Sequence, residues 1–191
     1  ETQSAGFFWL ARLACRRGDY EEALEYVEKS LIRNWHNMNG RTLKAALLRK
    51  LGADASAFVA ECLAIDPLSQ GCLYEQAMAE GSEELWLKTM RTESHNFKEL
   101  AQEYIEAGLY EDAIHILGAC PKKDPICWYT LGYIYTQKEE NKKATEAFEK
   151  GDSLPGLLLP EQGRRDPDSG NCDCRLTTGT YGALLSWQPA V

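Results

Sequence analysis

The stretch 128–155, W-Y-T-L-G-Y-I-Y-T-Q-K-E-E-N-K-K-A-T-E-A-F-E-K-G-D-S-L-P, leaves this chain little choice of fold. Trp128, Leu131 and Tyr135 recur at helical spacing with Gly132 beside them, which makes one face of a helix of about three turns. After the polar turn 138–141, Ala144, Phe148 and Gly151 make the matching face of a second helix. Small residues at Gly132 and Ala144 let two antiparallel helices approach closely, while the aromatic rings fill the space around the contact. One such hairpin cannot bury its apolar face alone, so the pattern demands neighbours of the same kind.

Those neighbours precede it. In residues 4–32, Phe7, Leu10, Ala11 and Ala14 face one way, Gly18 can end the helix, and Asp19 with Glu22 offers a capping box for the next. Ala23, Val27 and Ser30 are the packing face of that second helix, and Phe7 to Ala23 spans the same 16 residues as Trp128 to Ala144. In residues 39–66, Leu43, Ala45, Ala46, Leu47 and Leu48 precede a break at Gly52, and Phe58, Val59, Cys62 and Leu63 follow a restart at Asp54. Arg41 stands there where the anchoring aromatic belongs, which predicts weaker packing at that joint. Residues 68–91, with Leu73, Tyr74, Ala77, Met78, Leu85, Trp86 and Met90, form the weakest unit, a degenerate repeat. Residues 94–120 recover the pattern through Phe97, Leu100, Ala101, Tyr104, Gly108, Tyr110, Ala113 and Leu117. Asp124 and Pro125 then sit at the cap and first position of the next helix, where proline costs no hydrogen bond.

Trp, Leu, Gly and Tyr in one helix, then Ala, Phe, a small residue and Pro in the next, resemble the tetratricopeptide repeat, a helical hairpin of about 34 residues. The resemblance covers residues 7–155 and implies an all-α fold over residues 1–155: a right-handed α-solenoid of about five helical hairpins, or about ten helices. The runs R-G-D-Y-E-E-A-L-E-Y, L-K-A-A-L-L-R-K-L-G and A-G-L-Y-E-D-A resemble, more narrowly, the repeat region of large bacterial proteins. In those proteins the hairpins follow a β-sandwich similar to galactose mutarotases. This implies a role near carbohydrate metabolism, as an accessory part of an enzyme whose catalytic domain lies outside these residues.

In the repeat family the first helices line a concave groove that binds protein or peptide partners. Projecting the repeat onto this chain places Phe8, Arg12, Arg16, Thr42, Arg49, Lys50, Lys98, Gln102, Tyr129 and Tyr133 there, and five of the ten are basic. Carboxylate-clamp repeats use Lys and Asn where Phe8 and Arg12 stand, so the clamp does not carry over. The expected occupant is an acidic segment with a hydrophobic residue, on another protein or on an upstream domain of the same chain. The expected function is an interaction scaffold, not an enzyme. Tyr135 and Phe148 at the last hairpin suggest a homodimer through an uncovered face.

Composition excludes several other classes. A net charge of −8, from 21 Lys and Arg against 29 Asp and Glu, argues against a nucleic-acid surface. No apolar run reaches the roughly 18 residues of a membrane helix, and the reading is a cytoplasmic protein. Of seven cysteines, those at 15, 62, 72, 120 and 127 occupy small apolar positions and read as reduced thiols. His36, His95 and His115 lack the i, i+4 spacing of a helical metal site, so no metal and no cofactor are expected. No phosphate loop, nucleophile elbow or Cys–His pair is present, and glutamate pairs such as Glu21–Glu22 suit helix starts.

Residues 156–191 differ in kind, with five glycines, three prolines and no helical period. Read one base later with suitable wobble bases, their codons permit D-Y-C-F-P-N-K-V-E-E-I-L-I-L-E-T-A-I-A and, further on, A-P-Y-Y-L-G. That alternative has helix periodicity and a fresh hairpin opening. The tail therefore reads as an irregular, frameshifted translation in which Cys172 and Cys174 are accidents. Sequencing the encoding DNA decides this: the idea fails if the gene holds no helical continuation in another frame.

Overall fold

The computed structural model describes residues 2–155, which form an all-α solenoid of ten helices paired as five hairpins. The helices are α1 (Thr2–Arg17), α2 (Tyr20–Arg33), α3 (Met38–Lys50), α4 (Ser56–Ile65) and α5 (Gln70–Glu80). They continue as α6 (Glu84–Met90), α7 (Ser94–Glu106), α8 (Tyr110–Ala119), α9 (Pro125–Gln137) and α10 (Asn141–Ser153). What the sequence suggests about 156–191 lies outside the described residues.

In four of the five hairpins a small residue stands at the same place in the first helix. Ala11, Ala45 and Ala101 are completely buried, and Gly132 takes the same place in α9. A Cβ on Gly132 would come within 2.4 Å of Phe148 Cε1, so this is where α9 and α10 touch most closely. Turns between the paired helices use glycine where the chain must reverse through positive φ: Gly18 at +83° and Gly108 at +76°. Gly108 has a second constraint, because its Cβ position lies 2.9 Å from Arg16 Cα. The first hairpin thus touches the fourth, and the stack curls back on itself.

Two sequence expectations change here. Asp19 and Glu22 make no capping box: Asp19 flanks α2 without a side-chain cap bond, because Arg17 Nε donates to its carboxylate at 2.9 Å and Arg17 Nη2 to Glu22 at 2.5 Å. Asp124 does cap α9, accepting from Cys127 N at 2.9 Å with Pro125 in the first turn. Leu10, read as part of the packing face of α1, is 41% exposed.

The degenerate third unit carries the largest buried aromatics. Trp86 is 1% exposed, with Tyr74 edge-on at 5.1 Å and Phe97 at 6.1 Å, and Tyr74 meets Tyr104 at 5.3 Å. Such pairs add to the burial of their large apolar area. Arg41, in the place of an anchoring aromatic, is buried with partners of its own. Its Nε donates to Trp35 O at 2.6 Å, its Nη1 to Glu61 at 3.0 Å, and its guanidinium lies 5.1 Å from the Trp35 ring centre. The joint is filled, by a cation with an aromatic lid.

Gly132→Ala tests the close contact. Helix propensity alone favours alanine by about 1 kcal/mol. The collision with Phe148 should outweigh this and leave the variant about 1–2 kcal/mol less stable in urea unfolding. Adding Phe148→Leu should recover most of the loss. A stabilised single variant would mean that the helices are not in contact there.

Candidate functional site

The first helices α1, α3, α5 and α7 carry a set of ion pairs, joined by Asp112 of α8. Arg49 of α3 donates from Nε to Glu75 Oε2 at 2.7 Å, and from Nη2 to Glu75 Oε1 at 3.0 Å and Asp112 Oδ1 at 2.8 Å. Lys50 Nζ lies 2.8 Å from Asp112 Oδ2. Tyr104 OH donates to Glu75 at 2.6 Å, and Tyr74 OH to Asp112 at 3.2 Å. The Glu75 side chain is 1% exposed and that of Asp112 6%, so both charges are removed from water and held entirely by these partners. Burial, reinforced by Glu75, lifts the Tyr104 phenol well above its ordinary value, and burial with Asp112 lifts Tyr74. Both tyrosines therefore stay neutral donors.

Arg12 is also engaged. Its guanidinium pairs with Glu106 at the end of α7, lies 4.5 Å from the Phe8 ring centre, and is 7% exposed as a residue. Lys98 pairs with Asp124, which also accepts from Ser94 Oγ at 2.8 Å, and Gln102 donates to Glu106 at 3.2 Å. Arg16 is exposed beside Gly108 and has no ion pair among the described residues. Thr42 is buried, with its methyl 2.5 Å from the Cβ position of Gly71. Tyr129 turns toward its own hairpin: its hydroxyl donates to Asp152 at 2.7 Å and its ring lies 6.5 Å from Phe148. Tyr133 is half-buried against the core.

Of the ten residues projected onto the groove, Phe8, Arg12 and Thr42 share one wall, and Arg49 with Lys50 lie in the buried ion network. Lys98 and Tyr129 are directed to neighbouring elements. The partners that fix the four paired cations, Glu75, Glu106, Asp112 and Asp124, were missed by reading the repeat positions. A signal exists for two of them. Glu75 lies inside C-L-Y-E-Q-A-M and Asp112 beside A-I on helix faces otherwise apolar, where a carboxylate requires a buried partner.

Next to this wall is a cleft of ≈ 250 Å³ between the start of α3, the start of α5 and α7. Asp66, Glu99 and Glu103 line it with Thr42, Ser69 and Gln70, and none of its lining residues is Lys or Arg. Glu103 also borders the smaller hollow beside Phe8 and Arg12. Burial raises the Glu103 carboxyl, Arg12 lowers it, and the neighbouring Glu106 and Glu99 raise it further. Among the described residues it has no hydrogen-bond partner. No group of three or more His, Cys, Asp or Glu among them could hold a metal ion. No helix there is long and apolar enough to cross a membrane.

Two stability tests follow. Arg49→Met leaves Glu75 and Asp112 buried with fewer partners and should cost about 3–5 kcal/mol in urea unfolding. Arg49→Met with Glu75→Leu should cost clearly less than the two single variants added together, and strict additivity would show that the network is not coupled. The second concerns pH. Asp124 loses some solvation, but Lys98, the Cys127 amide and Ser94 together bring its carboxyl from 3.8 to about 2. A lowered folded value stabilises above 3.8 and is lost as the pH falls toward 2. Asp124→Asn should lower Tm at neutral pH and flatten the melting profile over that acid window.

Residues 126–155 match the family model described as Tetratricopeptide repeat. No curated protein matches the sequence. Among solved structures, the chain is similar to a fragment described as MamA 41-end from Desulfovibrio magneticus RS-1, with 18% identity over 81% of this chain and 96% of that one, at a TM-score of 0.40. A MamA RS-1 double mutant gives 18% identity over 80% and 94% at 0.40. A further MamA crystal structure gives 14% over 78% and 90% at 0.39.

Proposed function

We propose that this chain is an interaction scaffold that docks a segment of a partner protein on its concave side. The cleft bordered by Asp66, Glu99 and Glu103 takes a basic side chain, and Phe8 with Thr42 offers the apolar wall beside it. The observation that carries this reading is the sign of the free charge. Arg12, Arg49, Lys50 and Lys98 are already neutralised by Glu106, Glu75, Asp112 and Asp124. Glu103 faces the cleft with its charge uncompensated by any hydrogen bond, and a cation entering there would relieve it.

An acidic segment with one hydrophobic side chain has a single observation in its favour, the exposed Arg16 at the rim. Such a segment could belong to an upstream domain of the same chain. An accessory role beside a carbohydrate-active domain rests on the resemblance of three short runs, and turnover of a sugar by the isolated chain would support it.

Two fluorescein-labelled 16-residue helical peptides, one of Leu and Lys and one of Leu and Glu, separate these readings by anisotropy. The Leu–Lys peptide should bind, lose affinity as salt rises, and lose at least about tenfold on Glu103→Lys. If the Leu–Glu peptide binds instead and Arg16→Glu removes it, the acidic reading takes its place. If neither binds, the concave side is not the docking surface. Glu103→Gln carries a further expectation. A carboxyl raised above its ordinary 4.5 contributes stability that is complete below that value and lost as the pH rises through the folded one. The amide should therefore raise Tm at neutral pH while weakening Leu–Lys binding.

A further inference from the structure

Five cysteines lie among the described residues, all of them buried free thiols, and two of them meet. Cys62 is in α4 and Cys72 in α5, and both are 0% exposed. Asp66 fixes the turn between them: its carbonyl accepts from Ser69 N at 3.2 Å and its Oδ1 from Leu68 N at 3.0 Å. Two adjacent residues of α3 hold the two sulphurs separately. Arg41 Nη1 donates to Cys62 Sγ at 3.6 Å, and Thr42 Oγ1 lies 3.8 Å from Cys72 Sγ. The two thiols are also hydrogen-bonded to each other.

This arrangement makes the two sulphurs unequal. The Cys72 thiol, donating to Cys62, holds Cys62 below the ordinary thiol value; burial opposes this, and Arg41 reinforces it against Glu61. The same bond, together with burial, lifts Cys72 above that value. Elsewhere burial pushes Cys15 and Cys127 up to about 12, so neither offers a thiolate at neutral pH. Thr42 and Ser69, which touch Cys72, also line the cleft of ≈ 250 Å³. A molecule as small as hydrogen peroxide can approach the pair from there.

We propose that Cys62 and Cys72 are a peroxide-responsive dithiol, with Cys62 the attacking sulphur, Cys72 the resolving one, and a disulfide between α4 and α5 the product. Cys62 first gives its proton to solvent. Its thiolate attacks one oxygen of hydrogen peroxide and the O–O bond breaks. The sulphur is oxidised to sulfenic acid, and the hydroxide that leaves takes up a proton to become water. Arg41 faces the attacking sulphur and steadies its negative charge. The Cys72 sulphur then attacks the sulfenic sulphur, the S–O bond breaks, and the departing hydroxide takes the Cys72 proton. Two thiols and one peroxide become one disulfide and two waters. The link joins the second hairpin to the third, and it forms whatever the cleft binds.

The test uses the full chain carrying Cys172→Ser and Cys174→Ser, so that only the five described thiols compete. It is treated with hydrogen peroxide in native buffer, alkylated, digested and mapped by mass spectrometry. The peptides of Cys62 and Cys72 should appear linked, two hydrogens lighter than the reduced pair, and dithiothreitol should restore both thiols. The link should form at least about tenfold faster than any oxidation of Cys15, Cys120 or Cys127. Cys72→Ser should stop at the sulfenic acid and leave Cys62 open to labelling by dimedone, whereas Cys62→Ser should leave Cys72 unlabelled. Absence of the linked peptide under native conditions, or its formation only in urea, overturns the proposal. So does oxidation spread evenly over the five thiols, or a product that dithiothreitol does not reverse. Equal dimedone labelling of the two single variants would overturn the assigned roles.

Discussion

The contact of Arg49 with Glu75 and Asp112 decides how this stack is assembled. It joins helices from the second, third and fourth hairpins through one planar guanidinium, whose fork reaches both carboxylates. Two buried acids would be prohibitive alone, so Arg49, Lys50 and the two tyrosine hydroxyls must all be in place for the core to close. Apolar packing tolerates small slips between hairpins, whereas a bidentate pair fixes register. The helix pairs supply most of the buried area, and the polar node selects how they are stacked.

The local level of this fold was legible in the sequence, and the reason is spacing. An anchor, a small residue four positions on and an inner alanine give each hairpin its own signature, and hairpins one, four and five show it plainly. Asp124 and Pro125 also announced the start of α9 correctly, because capping is a local hydrogen bond. Phe8, Arg12 and Thr42, three residues projected from repeat positions, line one hollow together.

What spacing does not report is who faces whom across the curl. Arg12 and Glu106 are far apart in sequence, and nothing local to Arg12 says that an acid awaits it. The cations thus looked free, although four of the five are held by carboxylates of other hairpins. The third unit was underrated for a related reason. Its short helices hide the pattern, yet Tyr74, Trp86 and Met90 are among the most deeply buried large side chains of the molecule. Arg41 shows the limit of reading by residue class, since its long side chain fills the place of an aromatic ring while its charge is met by Trp35 and Glu61.

A row of repeats normally behaves as a one-dimensional lattice, in which each unit depends only on its neighbours and the ends can melt separately. The clasp between Arg12 and Glu106, with Gly108 seated against Arg16, breaks that rule by closing the first four hairpins into a loop. Unfolding any unit inside the loop opens the clasp, so these four should melt as one cooperative block. Forming the block requires bringing distant segments together, which raises contact order and slows folding relative to an open solenoid. The fifth hairpin lies outside the clasp and is joined to the fourth by the pairs Lys98–Asp124 and Lys138–Glu111. Amide exchange would register the clasped hairpins as one block that opens on a single timescale.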